Sequence, residues 1–489
     1  MTAPLPANRS ETAFEDFKLP LMRDGAVAEA NRCLFCSDAP CINACPTHID
    51  IPQFIRKIAT DNVHGSAKTI FESNILGMSC ARVCPVETLC VGACVYNNLE
   101  QPPIAIGKLQ RYATDRAYAE GWRFFEAGPS TGKRVALIGA GPASLAAAHE
   151  LRRHGHACTI FEKRATVGGL NTSGVAPYKM KADRGMNEVD WVLAIGDITV
   201  NTGADVGGAV SLASLERDFD AVFVGAGLGT DSALGVPGEN LPGVHGAVAW
   251  IEAMKLGAVN MSAVKHAVVI GGGNTAIDSV REVRGLGVPS VTMLYRGTRE
   301  GMSGYAHEWS AAIDEGVLAE WQAVATAIEG SGRVQRVHCV RVDAAKKPIA
   351  GSDFAMDADL VLLAIGQSKL GAMLGSLSGI NIDKGIIKVD AHGFTGRAKW
   401  YAGGDCTNGG KEVVNAAAEG KVAAIAMHAA LTKGATCLTC PPTPAASSRR
   451  TPSGLPAHRR PTAACRSSAP SRPAGAAPCG RRLARPSRT

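Results

Sequence analysis

A chain of 489 residues with 46% apolar composition is long enough for several cores, and none of its apolar runs approaches the ~20 residues of a membrane helix. Its formal charge of +7 invites a nucleic-acid reading, but residues 434–489 hold ten Arg and no Asp or Glu, which leaves 41 basic against 44 acidic residues elsewhere. Specific nucleic-acid binding and a membrane span are therefore not expected, and without an apolar leader in residues 1–30 the chain reads as cytoplasmic.

The first predicted elements carry two cysteine runs, Cys33-x2-Cys36-x4-Cys41-x3-Cys45-Pro46 and Cys80-x3-Cys84-Pro85-x5-Cys90-x3-Cys94. Closely spaced soft thiolates with Cys-Pro endings suit iron–sulfur clusters, and eight thiols match the eight coordination positions of two four-iron (4Fe-4S) clusters. Disulfides fit a reducing compartment poorly. Structural zinc is the stronger rival, because Cys-x2-Cys also suits a tetrahedral sulfur site. Between the runs Ile51, Phe54, Ile55, Ile58, Ile70 and Ile75 recur at helical spacing, so short helices carry the cluster loops. A further helix begins within 104–115, with Leu109, Tyr112 and Ala113 on its buried face; taken alone, Gln110 is an ordinary helix residue.

Residues 133–145 read as a strand, a glycine turn and a helix start. Gly139 and Gly141 allow backbone amides and a helix N-terminus to approach a pyrophosphate, and Glu162 follows at the end of the next strand, 157–161, where an acid accepts ribose hydroxyls. Ser144 stands at the third glycine position, so the match is imperfect. A second unit begins at 266–278, where Gly271, Gly273 and Ala276 give the Gly-x-Gly-x-x-Ala spacing after an apolar strand. Its next strand, 291–295, ends in Arg296 with Arg299 nearby; cations at the usual place of a ribose-binding acid favour a 2′-phosphate, hence NADP. Further on, 358–366 reads as a buried strand ending at Gly366. The segment 401–405 ends another, with Gly404 and Asp405 facing a phosphate or flavin ahead of a helix that starts near Asn415.

Two such sites in one chain predict a reductase in which nicotinamide gives hydride to flavin and neighbouring clusters take electrons singly, so no side-chain nucleophile is expected. His48, His64 and the other histidines show no catalytic constellation, and Cys158, Cys339 and Cys406 read as packing groups. Residues 434–489, with ten Pro and only Leu438, Leu455 and Leu483 as large apolar side chains, read as a basic disordered extension.

Taken together, Cys-Leu-Phe-Cys36, the run from Cys80 to Cys90, Ile-Gly-Lys-Leu-Gln110, Gly-Ala-Gly-Pro-Ala-Ser144, Val-Gly-Gly-Leu170 and Ala-Gly-Gly-Asp405 resemble the PreT-like electron-input subunits of bacterial dihydropyrimidine dehydrogenases. More broadly they resemble the glutamate synthase small subunit, and the resemblance covers about residues 30–433. It implies an α/β fold behind an α-helical cap: a helical domain with two 4Fe-4S clusters (1–130), an FAD domain (131–255 and 366–433) and an NAD(P) domain (256–365) inserted within it. Carried over by position, Cys33, Cys36, Cys41 and Cys94 look like ligands of one cluster, and Cys45, Cys84, Cys90 and Gln110 of the other, which makes Cys80 spare. The implied FAD contacts are Gly139, Gly141, Pro142, Ala143, Ser144, Glu162, Lys163, Gly169, Leu170, Gly404, Asp405 and Lys179, the last standing where relatives resemble Arg. The implied NAD(P)H contacts are Gly272, Gly273, Asn274, Thr275, Arg296 and Gly366; Gly297 departs from the paired basic residues of NADPH-using relatives. The resemblance also implies a hetero-oligomer with a PreA-like catalytic subunit bearing FMN and further clusters, which reduces uracil or thymine. Supply of electrons for glutamate formation is the second enzymatic expectation, and a zinc-bound interaction protein the non-enzymatic one.

Overall fold

Six helices lead the chain in the computed structural model, which describes residues 5–370, 373 and 378–432; the expected extension over 434–489 lies outside the described residues. They are α1 (Arg23–Asn31), α2 (Pro40–Asn43), α3 (Ile51–Ala59), α4 (Val63–Ser73), α5 (Gly77–Val83) and α6 (Ile106–Ala119). Local chemistry sets their starts: the Asp50 carboxylate accepts from Gln53 N (3.1 Å) ahead of α3, and Asn62 Oδ1 accepts from Gly65 N (2.9 Å) ahead of α4. Ile51, Phe54, Ile55 and Ile58 of α3 and Ile70 and Phe71 of α4 are buried, each burial contributing about 1.5–3 kcal/mol. Leu109 and Ala113 of α6 are fully buried, and Tyr112 partly so.

The next strands, β1 (Arg134–Ile138), β2 (Ala157–Glu162), β3 (Ile198–Thr202) and β4 (Ala221–Val224), alternate with α7 (Pro142–Arg153), α8 (Leu170–Ser173), α9 (Ala182–Leu193) and α10 (Leu212–Asp218). After them come β5 (Val244–Gly246), α11 (Ala247–Leu256), β6 (His266–Ile270), α12 (Asn274–Gly285), β7 (Ser290–Tyr295), α13 (Ala306–Asp314), β8 (Leu318–Trp321), β9 (Ala323–Glu329), β10 (Arg336–Val342), β11 (Pro348–Asp357) and β12 (Leu360–Leu363). The pair β13 (Ile382–Asp383) and β14 (Ile386–Ile387), β15 (Trp400–Ala402) and helices Asp405–Asn408 and Val413–Thr432 close the described chain.

Two parallel five-stranded sheets result, β15-β4-β1-β2-β3 and β5-β12-β6-β7-β8, with an antiparallel β11-β10-β9 sheet beside the second. Every strand of the second sheet lies between β4 and β15 in sequence, so one nucleotide-type layer is inserted in the other. The second layer takes up the chain at Val244, ahead of the expected boundary at 256. Three residues, Val244–Gly246, pair with β12, and α11 buries Trp250, Ile251 and Met254 in the same core. A strand of that length carries no readable alternation, which is why the sequence pattern passes over it.

The helical region and the first sheet share a core, in which Tyr118 of α6 stacks on Trp191 of α9 with ring centroids 4.5 Å apart. Among the described residues no helix is long and apolar enough to cross a membrane.

Candidate cofactor sites

At the end of β1, Gly139 turns with φ +89, and a Cβ there would lie 2.7 Å from Gly225 O; a side chain is excluded where the chain passes over β4. Above Gly141 is open space, with no heavy atom within 4 Å of an added Cβ, and Pro142 opens α7 at a position where a missing N–H costs nothing. Glu162, buried at the end of β2, faces this turn: its Oε2 accepts from Ala140 N (2.7 Å) and its Oε1 from Arg164 N (2.8 Å). Two more loops converge here. An added Cβ on Gly169, just before Leu170, would come within 3.0 Å of Gly141 Cα, and one on Gly404 within 3.0 Å of the Ala143 Cβ. Glu419 of the last helix secures the second loop, accepting from Gly404 N (2.6 Å) and from Asn408 Nδ2 (3.0 Å).

Buried side-chain atoms at the helix starts beside these loops stand without a partner among the described residues: Ser144 Oγ in α7, and Asn171 Oδ1 and Thr172 Oγ1 in α8. Buried polar atoms are ordinarily satisfied, so three orphans beside an open glycine turn fit a polar dinucleotide such as FAD. Asp405 begins the short helix after Gly404 and accepts from Lys411 N (3.3 Å), and burial raises its carboxyl above the usual range. Lys163 projects outward instead, with its side chain 73% exposed and 3.1 Å from Asp205. The Lys179 ammonium turns toward the inserted layer, 2.9 Å from Asp278 and 2.7 Å from Glu308.

The second glycine turn joins β6 to α12. Tyr295 lies over Gly272 so closely that a Cβ would sit 2.4 Å from its ring. Gly273 is nearly open, Asn274 and Thr275 begin α12, and Gly366 (φ +106) faces open space. Arg296 and Arg299 follow β7 exposed and without an ion-pair partner among the described residues, which suits recognition of an anionic group. This turn thus fits a nicotinamide nucleotide.

The cysteines sort into two neighbourhoods that cross the two sequence runs. Burial raises the Cys33 thiol, with Cys36 and Cys94 adding to the effect, and burial pushes Cys41 up to about 12, reinforced by Cys33 and Cys94. A hydrogen bond with Cys80 and burial raise Cys84, with Cys90 and Cys45 contributing; burial pushes Cys90 up to about 12, followed by the influence of Cys45. These influences group Cys33, Cys36, Cys41 and Cys94, and likewise Cys45, Cys80, Cys84 and Cys90, with Cys41 also acting on Cys90, so the two neighbourhoods adjoin. Among the described residues no three His, Cys, Asp or Glu side chains are disposed to hold a single metal ion. Soft thiolates grouped in this way are the donor type that a four-iron cube takes. Gln110, 7% exposed, donates Nε2 to Gly77 O (2.8 Å), which leaves Oε1 without a partner among the described residues. The Cys80 sulfur accepts from Asn74 Nδ2 (3.2 Å).

Residues without any sequence signal join these sites. Fully buried Glu188 of α9 accepts from Met78 N and Ser79 N (both 3.1 Å) and from Ser79 Oγ, while Asn171 Nδ2 donates to Ser79 Oγ (2.8 Å). Asn171 directly follows Leu170, and Ser79 directly precedes Cys80, so this network joins the first glycine-turn site to the helix that carries Cys80 and ends at Cys84. An N-terminal strap is equally unsignalled: Ser10 N donates to Gly257 O (2.9 Å), Phe14 packs on Gly285, and Asp16 pairs with Arg111, the neighbour of Gln110. Three histidines also meet away from both turns, with His156 Nε2 2.9 Å from His428 Nδ1 and His154 stacked on His428 at 4.0 Å. Cys158, Cys339 and Cys406 are buried.

Two family models match the chain: "Dihydropyrimidine dehydrogenase domain II, 4Fe-4S cluster" over residues 9–122, and "Pyridine nucleotide-disulphide oxidoreductase" over residues 133–420. The chain is 34% identical to a Salmonella typhi homologue of the NAD-dependent dihydropyrimidine dehydrogenase subunit PreT, across 84% of this chain and 96% of that one. It is 33% identical to the Escherichia coli glutamate synthase [NADPH] small chain, across 84% and 92%. Among solved structures, FprA from Mycobacterium tuberculosis shares the fold with a TM-score of 0.52 at 19% identity, covering 64% of this chain and 88% of that one.

Proposed function

The chain belongs to the pyridine nucleotide-disulphide oxidoreductase family, joined to a dihydropyrimidine dehydrogenase 4Fe-4S domain, and is an NAD(P)-dependent FAD oxidoreductase subunit; from that premise we propose that it delivers electrons from NAD(P)H, by way of FAD and two 4Fe-4S clusters, to a PreA-like partner that reduces uracil or thymine. Bound flavin would supply the conversion of a two-electron hydride into the single electrons that iron–sulfur clusters carry. The observation that carries this reading is the Asn171–Ser79–Glu188 network, which fixes the flavin-type loop and the helix that ends at Cys84 in one buried joint.

The residues' tasks follow from their chemistry. Gly139, Gly141, Pro142, Ala143 and Ser144 would receive the FAD pyrophosphate at the start of α7, with Glu162 on the ribose hydroxyls and Gly169, Leu170, Gly404 and Asp405 closing the cradle. Lys163 stands at the rim of this site, and Lys179 holds the inserted layer by its two carboxylates. Gly272, Gly273, Asn274, Thr275 and Gly366 would hold the nicotinamide nucleotide, with Arg296 on a 2′-phosphate when one is present. Cys33, Cys36, Cys41 and Cys94 would bind the outer cluster, and Cys45, Cys84, Cys90 and Gln110 the inner one. The domain limits that suit this reading are 1–130 for the cluster region, and 131–243 with 366–433 for FAD around an NAD(P) layer over 244–365.

A second reading, delivery to a glutamate synthase large subunit, draws support from the comparable 33% identity to that enzyme's small chain. Protein purified anaerobically should show flavin bands together with broad cluster absorption near roughly 400 nm. Reconstitution with a PreA-like subunit should then give uracil-dependent NAD(P)H oxidation. Turnover with glutamine and 2-oxoglutarate alone, using a glutamate synthase large subunit, would select the second reading; protein that is folded yet lacks both chromophores would sink the two together.

A further inference from the structure

The segment Met302–Glu308 of the inserted layer lies back over the second glycine turn. Gly304 N and Ser303 Oγ donate to Gly272 O (3.0 and 3.3 Å), and Tyr305 N donates to Asn274 Oδ1 (2.9 Å). The fit is close, since a Cβ on Gly304 would lie 2.4 Å from the Ile277 Cδ1. From this seat the Tyr305 side chain crosses to the other layer, where its hydroxyl donates to Glu412 Oε1 (2.7 Å). Glu412 opens the last helix, its carbonyl accepting from Asn415 N (3.0 Å), and the same helix carries Glu419, which holds Gly404 N and Asn408. The His307 ring stacks beside Tyr305 and reaches Glu87, in the loop between Cys84 and Cys90, at 3.5 Å.

We infer that Tyr305 is a positioning residue that ties the nicotinamide-binding turn to the flavin-binding loop through Glu412, so that the two nucleotides meet in a fixed relation. This rests on the reading of the two glycine turns given above. Tyr305 is seated on the turn by its backbone N–H, while its hydroxyl, which also lies near the Asn274 and Thr88 side chains, bonds Glu412; loss of the hydroxyl therefore leaves the backbone bond to the turn and cuts the tie to Glu412. Burial and the bond to Glu412 push the phenol up to about 12, so the hydroxyl remains a donor throughout the neutral range. Hydride transfer demands close and aligned approach of the reacting rings, which is the step a loosened joint slows.

The test is Tyr305→Phe in the full-length protein, purified anaerobically beside the parent. Stopped-flow flavin bleaching by NADH and NADPH separates the dissociation constant from the limiting rate, and titration with NAD(P)+ reads the perturbation of the oxidised-flavin spectrum. Flavin and iron contents should be unchanged and the dissociation constant should stay within about twofold, while the limiting rate falls about tenfold, the worth of one hydrogen bond to a charged acceptor. The spectral perturbation should shrink with it. Glu412→Gln, which keeps an acceptor for the phenol, should retain the rate within about threefold. An unchanged rate in Tyr305→Phe overturns the inference, and so does a slower rate accompanied by lost flavin, which marks a merely structural role. Parent protein without flavin would instead overturn the reading of the glycine turns.

Discussion

The two cysteine neighbourhoods are chemically alike and differ in how deeply they are buried. Cys33, Cys36, Cys41 and Cys94 are all partly exposed, and Leu34 and Leu99 beside them are 54% and 58% exposed. Cys45, Cys80 and Cys84 are buried and Cys90 is partly exposed, and the helix that carries Cys80 and ends at Cys84 is bonded into the flavin-type loop by Ser79 and Glu188. On the proposed assignment, one cluster is therefore an inlet set against the flavin and the other an outlet at the surface. The sequence runs conceal this difference, because each run gives a cysteine to the other's neighbourhood: Cys45 goes inward and Cys94 outward.

The most drastic way to break the comparison is to delete one ligand on each side. Cys41→Ser should remove the outer cluster, about half of the bound iron, and leave both FAD and an inner cluster reducible by NAD(P)H. Cys84→Ser should remove a similar amount of iron and also stop NAD(P)H from reducing the outer cluster, which dithionite would still reduce. Iron analysis with electron paramagnetic resonance after each reductant checks this; identical behaviour of the two variants would erase the distinction between inlet and outlet.

The joint itself predicts a smaller effect. Glu188→Leu strands three donors, Met78 N, Ser79 N and Ser79 Oγ, and should destabilise the protein by about 3 kcal/mol in urea unfolding. Burial pushes the Glu188 carboxyl from 4.5 up to about 7. Since the folded value is the higher one, the contribution is fully present below pH 4.5 and is lost as pH rises through 7, on the order of 3 kcal/mol in all. Glu188→Gln should lack this slope, so the stability difference between parent and Gln variant should change across that window; a constant difference would show that the carboxyl titrates as in water.

What the sequence made legible was whatever depends on local spacing. Gly139 and Gly272 lie in strand–turn–helix patterns, and Ile51 to Ile58 repeat at helical intervals, so turns and helices were readable. The joints were not. Glu188 meets Ser79 across 109 positions, Tyr305 meets Glu412 across 107, and Ser10 meets Val259 across 249, and no period or motif marks such partners. The same holds for Lys179, which the family resemblance implies for the flavin and whose ammonium pairs with Asp278 and Glu308, partners that no motif marks. Glu419, within Ala-Ala-Ala-Glu-Gly, stands in a helix that the sequence marks, but its bond to Gly404 N depends on the fold.

The finest test lies inside the inner neighbourhood, where five candidates compete for four positions. Cys80 has its sulfur engaged by Asn74 Nδ2 and by Cys84, whereas Gln110 has one amide atom tied to Gly77 O and an oxygen left over. An oxygen donor is harder than a thiolate and brings no charge, so a cluster bound through Gln110 carries one negative charge fewer than one bound by four cysteines. Cys80→Ala should then keep the inner cluster's resonance and potential nearly unchanged, with a cost to stability of about 1 kcal/mol from lost packing. Gln110→Ala should alter the resonance while retaining most of the iron, and Gln110→Cys should lower the potential by adding a thiolate. If instead Cys80→Ala removes the inner cluster and Gln110→Ala leaves it untouched, the fourth ligand is Cys80, and the Asn74 bond becomes the hydrogen bond that tunes it.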